Sequence, residues 1–130
     1  MDTPTINWLA VALAALSSFL VGGVWHNVLF VKQWQKFTGL KEADLRKGTA
    51  KVFALSFVLS LIMAANLAFF IGDNDANFGL FAGFAAGFGW VAMAFGVNYL
   101  FERKPLALFA INGGYNVVTF TLMGFILGAM

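Results

Sequence analysis

The sequence predicts an all-α protein that lies in a membrane as a bundle of four transmembrane helices. Of its 130 residues, 61% are hydrophobic and 11% are charged, whereas about 25% of the residues of a soluble domain carry charge. A water-soluble fold of this length could not bury so much apolar surface. The chain also contains four apolar stretches, each near or above the ~20 residues that a helix needs to cross a bilayer.

The four predicted transmembrane helices cover residues 6–31, 52–71, 78–101 and 106–129. Between the first two lies a polar connection, residues 32–50, which we predict to lie at the membrane interface. In this segment Trp34, Phe37 and Leu40 recur at every third position among lysines, as in amphipathic surface segments. The chain is therefore expected to form a single domain, residues 1–130, built from two antiparallel hairpins.

The basic residues predict the orientation of these helices. All eight lie in two of the connections: six between residues 32 and 51, and two at Arg103 and Lys104. Because cytoplasmic loops are enriched in lysine and arginine, both connections are expected to face the cytoplasm and both termini the opposite side. A basic rim beside anionic lipid also accounts for the excess of basic residues without a nucleic-acid partner.

Polar side chains within the apolar stretches are expected to face the interior of the bundle, because a polar group exposed to hydrocarbon is costly. Gly22 and His26 are four residues apart and share a face of the first helix, and Asn112 and Asn116 do the same in the fourth. We predict one polar cluster in the cytoplasmic half of the bundle, formed by His26, Asn27, Asn98, Asn112, Tyr115 and Asn116.

Glycines recur at intervals of four residues in the third helix and again near the end of the fourth. This spacing lets two helix backbones approach closely. The pattern leaves open whether the partner is another helix of this chain or a second copy. The predicted helix-packing positions are Gly22, Gly79, Gly83, Gly87, Gly124 and Gly128.

Groups suited to catalysis or metal binding are few. The chain has one histidine, no cysteine and no acidic residue inside the predicted helices, whereas zinc needs three or four protein ligands. A Ser-His-Asp arrangement needs contact among its members, and Asp73 and Asp75 are expected across the bilayer from His26. We therefore predict no enzyme activity, no catalytic or metal-binding residue and no cofactor.

His26 itself could relay protons or hold a ligand, or join helices by hydrogen bonds.

Two motifs at the expected cytoplasmic ends of the helices resemble those of a known family. Residues 22–34, GGVWHNVLFVKQW, are similar to the G-x-x-W-[YH]…LF-x-K-x-W signature of the bacterial DUF1761 membrane proteins. Residues 98–116, NYLFERKPLALFAINGGYN, are similar to their NYLFER…LF-x-x-N-x-GY signature. The sequence departs from the commonest pattern at His26, where tyrosine is expected in most members, and at Asn116, where histidine is common. The resemblance implies a four-helix protein of the bacterial inner membrane but no activity, because the function of the family is unknown.

Two classes of function fit these observations. The first is a structural or interaction protein, namely a small accessory membrane subunit whose partners are the lipid bilayer and either a second copy or a larger membrane complex. The second is an oligomeric channel or transporter for a small solute, with a polar cavity that opens to the cytoplasm. We favour the first, because coupled transport commonly uses an intramembrane carboxylate and four helices form only a narrow bundle.

Overall fold

The computed structural model describes residues 5–130, apart from the side chain of Glu42, and that part of the chain is entirely helical outside its turns. In residues 5–130, seven α-helices are joined by turns and by two π-helical segments, π1 and π2. In chain order the elements are α1 (Trp8–Val24), π1 (Trp25–Leu29), α2 (Val31–Thr38), α3 (Glu42–Arg46), α4 (Thr49–Ile71), α5 (Ala76–Ala86), π2 (Gly87–Ala92), α6 (Met93–Glu102) and α7 (Leu106–Ala129).

Four helical stretches of the described chain are long and apolar enough to cross a membrane: Trp8–Leu29, Thr49–Ile71, Ala76–Glu102 and Leu106–Ala129. The first combines α1 with π1, and the third combines α5, π2 and α6. The predicted all-helical class and the four apolar spans are confirmed, and they indicate a multi-pass membrane protein. The second and third spans begin earlier than the predicted residues 52 and 78, because polar residues of the preceding turns form their first helical turns.

The connection between the first two spans consists of two short helices, α2 and α3. A break at Phe30, with φ −126° and ψ 21°, separates π1 from α2. Gly39, with φ 75°, ends α2, and Gly48, with φ 63°, precedes α4. Both glycines adopt the left-handed conformation, which residues with a side chain rarely do. Leu40 is therefore exposed beyond the end of α2 and does not continue the apolar face of that helix.

Helix α7 lies at the centre of the bundle. It packs against α1, α2, α4 and the whole of the third span. Alanine side chains let α1 and α4 approach it closely, and Ala14, Ala64 and Met123 are 0% exposed. The buried core consists of Ala10, Val11, Ala14, Ala64, Leu67, Ile71, Phe120, Met123 and Leu127.

The closest helix contact joins the third span to α7 through glycines. A Cβ atom at Gly79 would overlap the carbonyl oxygen of Gly124, and one at Gly83 would overlap that of Phe120. One at Gly87 would lie 2.9 Å from the carbonyl oxygen of Asn116. Successive glycines along the third span contact residues progressively earlier in α7. The third span and α7 are therefore antiparallel. The glycines of the third span thus pack against a helix of the same chain.

The remaining glycines of the predicted packing set also lie against other helices. Gly128 meets the start of α5, where an added Cβ would lie 2.9 Å from the Cα of Ala76. Gly22 faces Tyr115, with an added Cβ 3.2 Å from the hydroxyl oxygen. Each of these glycines therefore lies where a side chain would press on a neighbouring helix.

We predict that Gly83→Ala destabilises the bundle by about 1–3 kcal/mol, because the new methyl group must displace the α7 backbone. Gly89→Ala is the matched control, since a Cβ at Gly89 meets no atom within 4 Å. Thermal unfolding of both variants in one detergent measures the difference. Equal melting temperatures for the two variants would refute the packing described for α5 and α7.

Candidate functional site

Both π-helical segments lie against the same short stretch of α7, residues 112–116. On one side, the Trp25 ring of π1 lies 3.1 Å from the position of a Cβ added at Gly114. On a neighbouring side, the Ala92 side chain of π2 lies 3.5 Å from a Cβ added at Gly113. The two glycines therefore leave room for the π segments on either side of this stretch.

The π1 segment turns the end of the first span towards α7. Its π-helical character is visible where the Phe30 N–H donates to the carbonyl oxygen of Trp25, five residues earlier, at 3.0 Å. The Trp25 indole N–H donates to the carbonyl oxygen of Ile111 at 2.7 Å. Such π turns are frequent at functional sites, and the Trp25 bond fixes this one to the neighbouring span.

The sequence analysis did not predict either π segment. Each segment lies at a G-x-x-W motif, but in a different register: Trp25 ends its motif and begins π1, whereas Gly87 begins both its motif and π2. A π turn takes in one more residue than an α turn. Side chains that follow a π turn therefore lie on a different face of the helix from the one that an unbroken α-helix would give them.

A hydrogen-bonded network joins three of the four spans. His26 Nε2 lies 3.3 Å from Asn112 Oδ1, and Asn112 Nδ2 donates to the Tyr99 hydroxyl at 2.7 Å. With the amide oxygen of Asn112 facing the imidazole, Nε2 carries a proton and donates, since an amide oxygen can only accept. His26 belongs to the first span, Tyr99 to the third and Asn112 to the fourth.

Aromatic rings surround the His26 side chain. Its ring centroid lies 5.3 Å from that of Trp34 and 4.9 Å from that of Tyr115, in both cases edge to face, a favoured arrangement for aromatic pairs. The Tyr115 hydroxyl donates to the carbonyl oxygen of Ser18 at 3.4 Å. Because Trp34 belongs to α2, the same contacts hold that short helix against the bundle.

The network continues into the middle of the bundle. Asn116 is buried, and its Nδ2 donates to the carbonyl oxygen of Asn112 at 2.9 Å. Further along, the Ser18 hydroxyl donates to the Ser60 hydroxyl at 3.0 Å and so links α1 to α4. These polar groups are thus paired with one another across helices or with backbone carbonyls, whereas the buried Thr119 hydroxyl has no hydrogen-bond partner in the described part of the chain.

Two residues of the predicted polar cluster lie outside this network. Asn27 and Asn98 are both exposed, and Asn98 lines an open groove beside Trp90 and Phe95. In a continuous α-helix Asn98 would share a face with Gly87, which contacts α7. The π2 segment, which begins at Gly87, shifts that alignment, so that Tyr99 reaches Asn112 instead. Trp25, Trp34 and Tyr99 were not in the predicted cluster.

The site offers imidazole, amide, indole and phenol groups, which donate and accept hydrogen bonds. Within the described part of the chain, no group of three or more His, Asp or Glu side chains could hold a metal ion. Near the other ends of the spans lies a cavity of about 250 Å³, which residues 5–7, 71–74 and 127–130 help to line. The polar rim of that cavity includes Asn7, Asp73 and Asn74.

These features define the chain as a small helical membrane protein with four candidate spans and a polar network between them. The chain belongs to the DUF1761 family, described as proteins of unknown function, whose family profile matches residues 9–128. The match includes both motifs and every residue of the network. The resemblance found in the sequence is therefore confirmed. Searches of curated proteins and of solved structures find no match.

We predict that Asn112→Leu lowers the free energy of unfolding by about 1–2 kcal/mol, because it removes the side-chain bonds to both His26 and Tyr99. Asn98→Leu is the matched control, because it makes the same substitution at an exposed position. We expect it to change the free energy of unfolding little. Melting temperatures in detergent compare the two. A loss at Asn98 equal to that at Asn112 would contradict the assignment of the network to Asn112.

Proposed function

We propose that this chain is a structural or interaction subunit of the bacterial inner membrane, which assembles with a second copy or with a larger membrane complex. The observation that carries the proposal is the closed centre of the bundle. Ala14, Ala64 and Met123 are 0% exposed and pack together in the same core. A solute crossing through a single chain would have to displace them, so the proposal assigns no path for solute to one chain.

The use of the polar groups supports the same reading. His26, Asn112 and Tyr99 bond to one another, and Tyr115 and Asn116 bond to backbone carbonyls. Groups that line a solute path must be free to exchange partners with the solute. Here the side chains join three spans, which is the role of interhelical hydrogen bonds in membrane bundles.

The outer surface of the third span supports a role in assembly. Most of this span is exposed, including Phe81 at 69%, Trp90 at 65% and Phe101 at 77%. Large aromatic side chains of this kind supply contact area either to lipid or to a protein partner. In the proposed function, this surface and that of α4 contact the bilayer and the partner subunit.

The proposed topology is two antiparallel hairpins, with both termini on the non-cytoplasmic side. Contacts near one end of the bundle support it: Trp25 reaches Ile111, and the ring centroids of Phe19 and Phe53 lie 6.2 Å apart. These contacts bring residues 30–48 and 102–105 to one end. Both segments carry the basic residues that face the cytoplasm under the positive-inside rule.

An oligomeric channel or transporter is the second candidate function. Exposed Asn98 favours it, because an amide on the outer surface of a span could line a path formed between several copies. The two candidates differ in whether purified protein alone passes solute.

Single cysteines test the topology, because the chain contains none of its own. We expect a membrane-impermeant maleimide to label Asn77→Cys from outside intact cells, and to label Ala43→Cys only after the membrane is opened. Both positions are exposed, so access depends on the side of the membrane. Labelling of the two positions from the same side would rule out the proposed threading.

Liposome flux separates the two functions. We expect vesicles containing the purified chain to release small polar and ionic solutes at the same rate as empty vesicles. Faster release that changes in the His26→Phe variant would instead establish transport and overturn the accessory role. Native mass spectrometry after gentle detergent extraction then gives the number of copies and the mass of any bound subunit, and a chain that is always monomeric and alone would also contradict the proposal.

A further inference from the structure

Helix α2 has two chemically different sides. Trp34 is half-buried beside the His26 ring, and α2 as a whole packs against α7. Lys32 and Lys36 are exposed and one turn apart. At 3.6 residues per turn, these two lysines lie on the opposite side of the helix from Trp34. The contacts of Trp34 therefore direct the lysine side of α2 away from the bundle.

The position of α2 along the chain places this lysine side near the edge of the bilayer. Only Phe30 separates α2 from the end of the first span, Trp8–Leu29. A helix that begins one residue after a transmembrane span starts at the level of the lipid headgroups. The flexible lysine stems can extend from there towards phosphate groups in the same leaflet.

Basic residues outnumber acidic ones at the end of the bundle that carries α2: all eight lysines and arginines lie there, with the three acidic residues Glu42, Asp44 and Glu102. Other exposed basic side chains at the same end of the bundle include Lys41, Lys47, Lys51 and Lys104. By contrast, Asp73 and Asp75 are the charged side chains of the connection between α4 and α5, which contains no lysine or arginine. The end of the bundle that carries α2 is therefore the one that attracts anions.

We propose that the lysine side of α2, formed by Lys32 and Lys36, binds the headgroups of anionic phospholipids such as phosphatidylglycerol. Trp34 on the opposite side of α2 contacts His26. In this proposal α2 therefore lies between the bound lipid and the bundle, with a contact on each side. This inference goes beyond the proposed function and does not depend on it. It requires neither a protein partner nor a particular side of the membrane.

Competition between two lipids tests the proposal. The full chain is purified in a neutral detergent and mixed with equal amounts of phosphatidylglycerol and phosphatidylcholine, and native mass spectrometry counts the lipids that each protein retains. We expect the wild-type chain to retain more phosphatidylglycerol. Lys32→Gln with Lys36→Gln lowers the ratio of the two retained lipids by about fivefold or more, since a basic residue near an anionic surface contributes about a fivefold gain in affinity.

Two further double variants make the result specific. Lys32→Arg with Lys36→Arg keeps both charges and is expected to keep the wild-type ratio. Lys47→Gln with Lys51→Gln removes the same charge from exposed positions outside α2 and is expected to lower the ratio much less. An equal fall in the Lys47 and Lys51 variant would overturn the assignment to α2, and so would a fall in the arginine variant.

The wild-type chain can overturn the proposal by itself, if it retains both lipids equally. Melting temperatures without added lipid check that the substitutions leave the bundle folded, as expected for exposed side chains. If the double glutamine variant does not fold, the single variants Lys32→Gln and Lys36→Gln replace it, each with a smaller expected fall in the lipid ratio. Unchanged ratios in folded variants would refute the proposal.

Discussion

The close approach of the third span to α7 is the contact on which the rest of the bundle depends. Gly79, Gly83 and Gly87 let this span lie almost backbone to backbone on α7, where an added Cβ would strike carbonyl oxygens. Hydrocarbon gives helices no hydrophobic reason to associate, so dispersion between closely packed backbones must supply much of the attraction. Helix α7 is thereby fixed at the centre, and α1 and α4 pack on its remaining sides through alanines.

The polar network depends on that packing. Once α7 is central, residues 112–116 lie between the two π segments, and Asn112 can reach the first and third spans together. Inside the membrane each polar group needs a partner, because water does not compete there. This requirement makes the network costly to break. It also makes the geometry specific, because His26, Asn112 and Tyr99 can form their hydrogen bonds to one another only in this arrangement of the spans.

Helix α2 connects the interior of the bundle to its surroundings. Its Trp34 ring contacts the His26 ring, while Lys32 and Lys36 on its opposite side are exposed. A short amphipathic helix of this kind is marginal by itself. Contacts on both sides, with the bundle and with anionic lipid, give α2 a defined position and would couple the lipid headgroups to the network at the ends of the spans.

Composition and hydropathy in the sequence determined the all-helical class and the four apolar spans, because long apolar segments have few alternatives to helix in a bilayer. The two motifs at residues 22–34 and 98–116 indicated the family. The glycine spacing indicated close packing, but its partner, α7, became clear only in the folded chain. Sequence periodicity grouped Asn98 with Gly87, whereas the tertiary structure placed Tyr99 beside Asn112. A periodicity argument assumes an unbroken α-helix, and the π2 segment that begins at Gly87 changes the face on which Asn98 and Tyr99 lie.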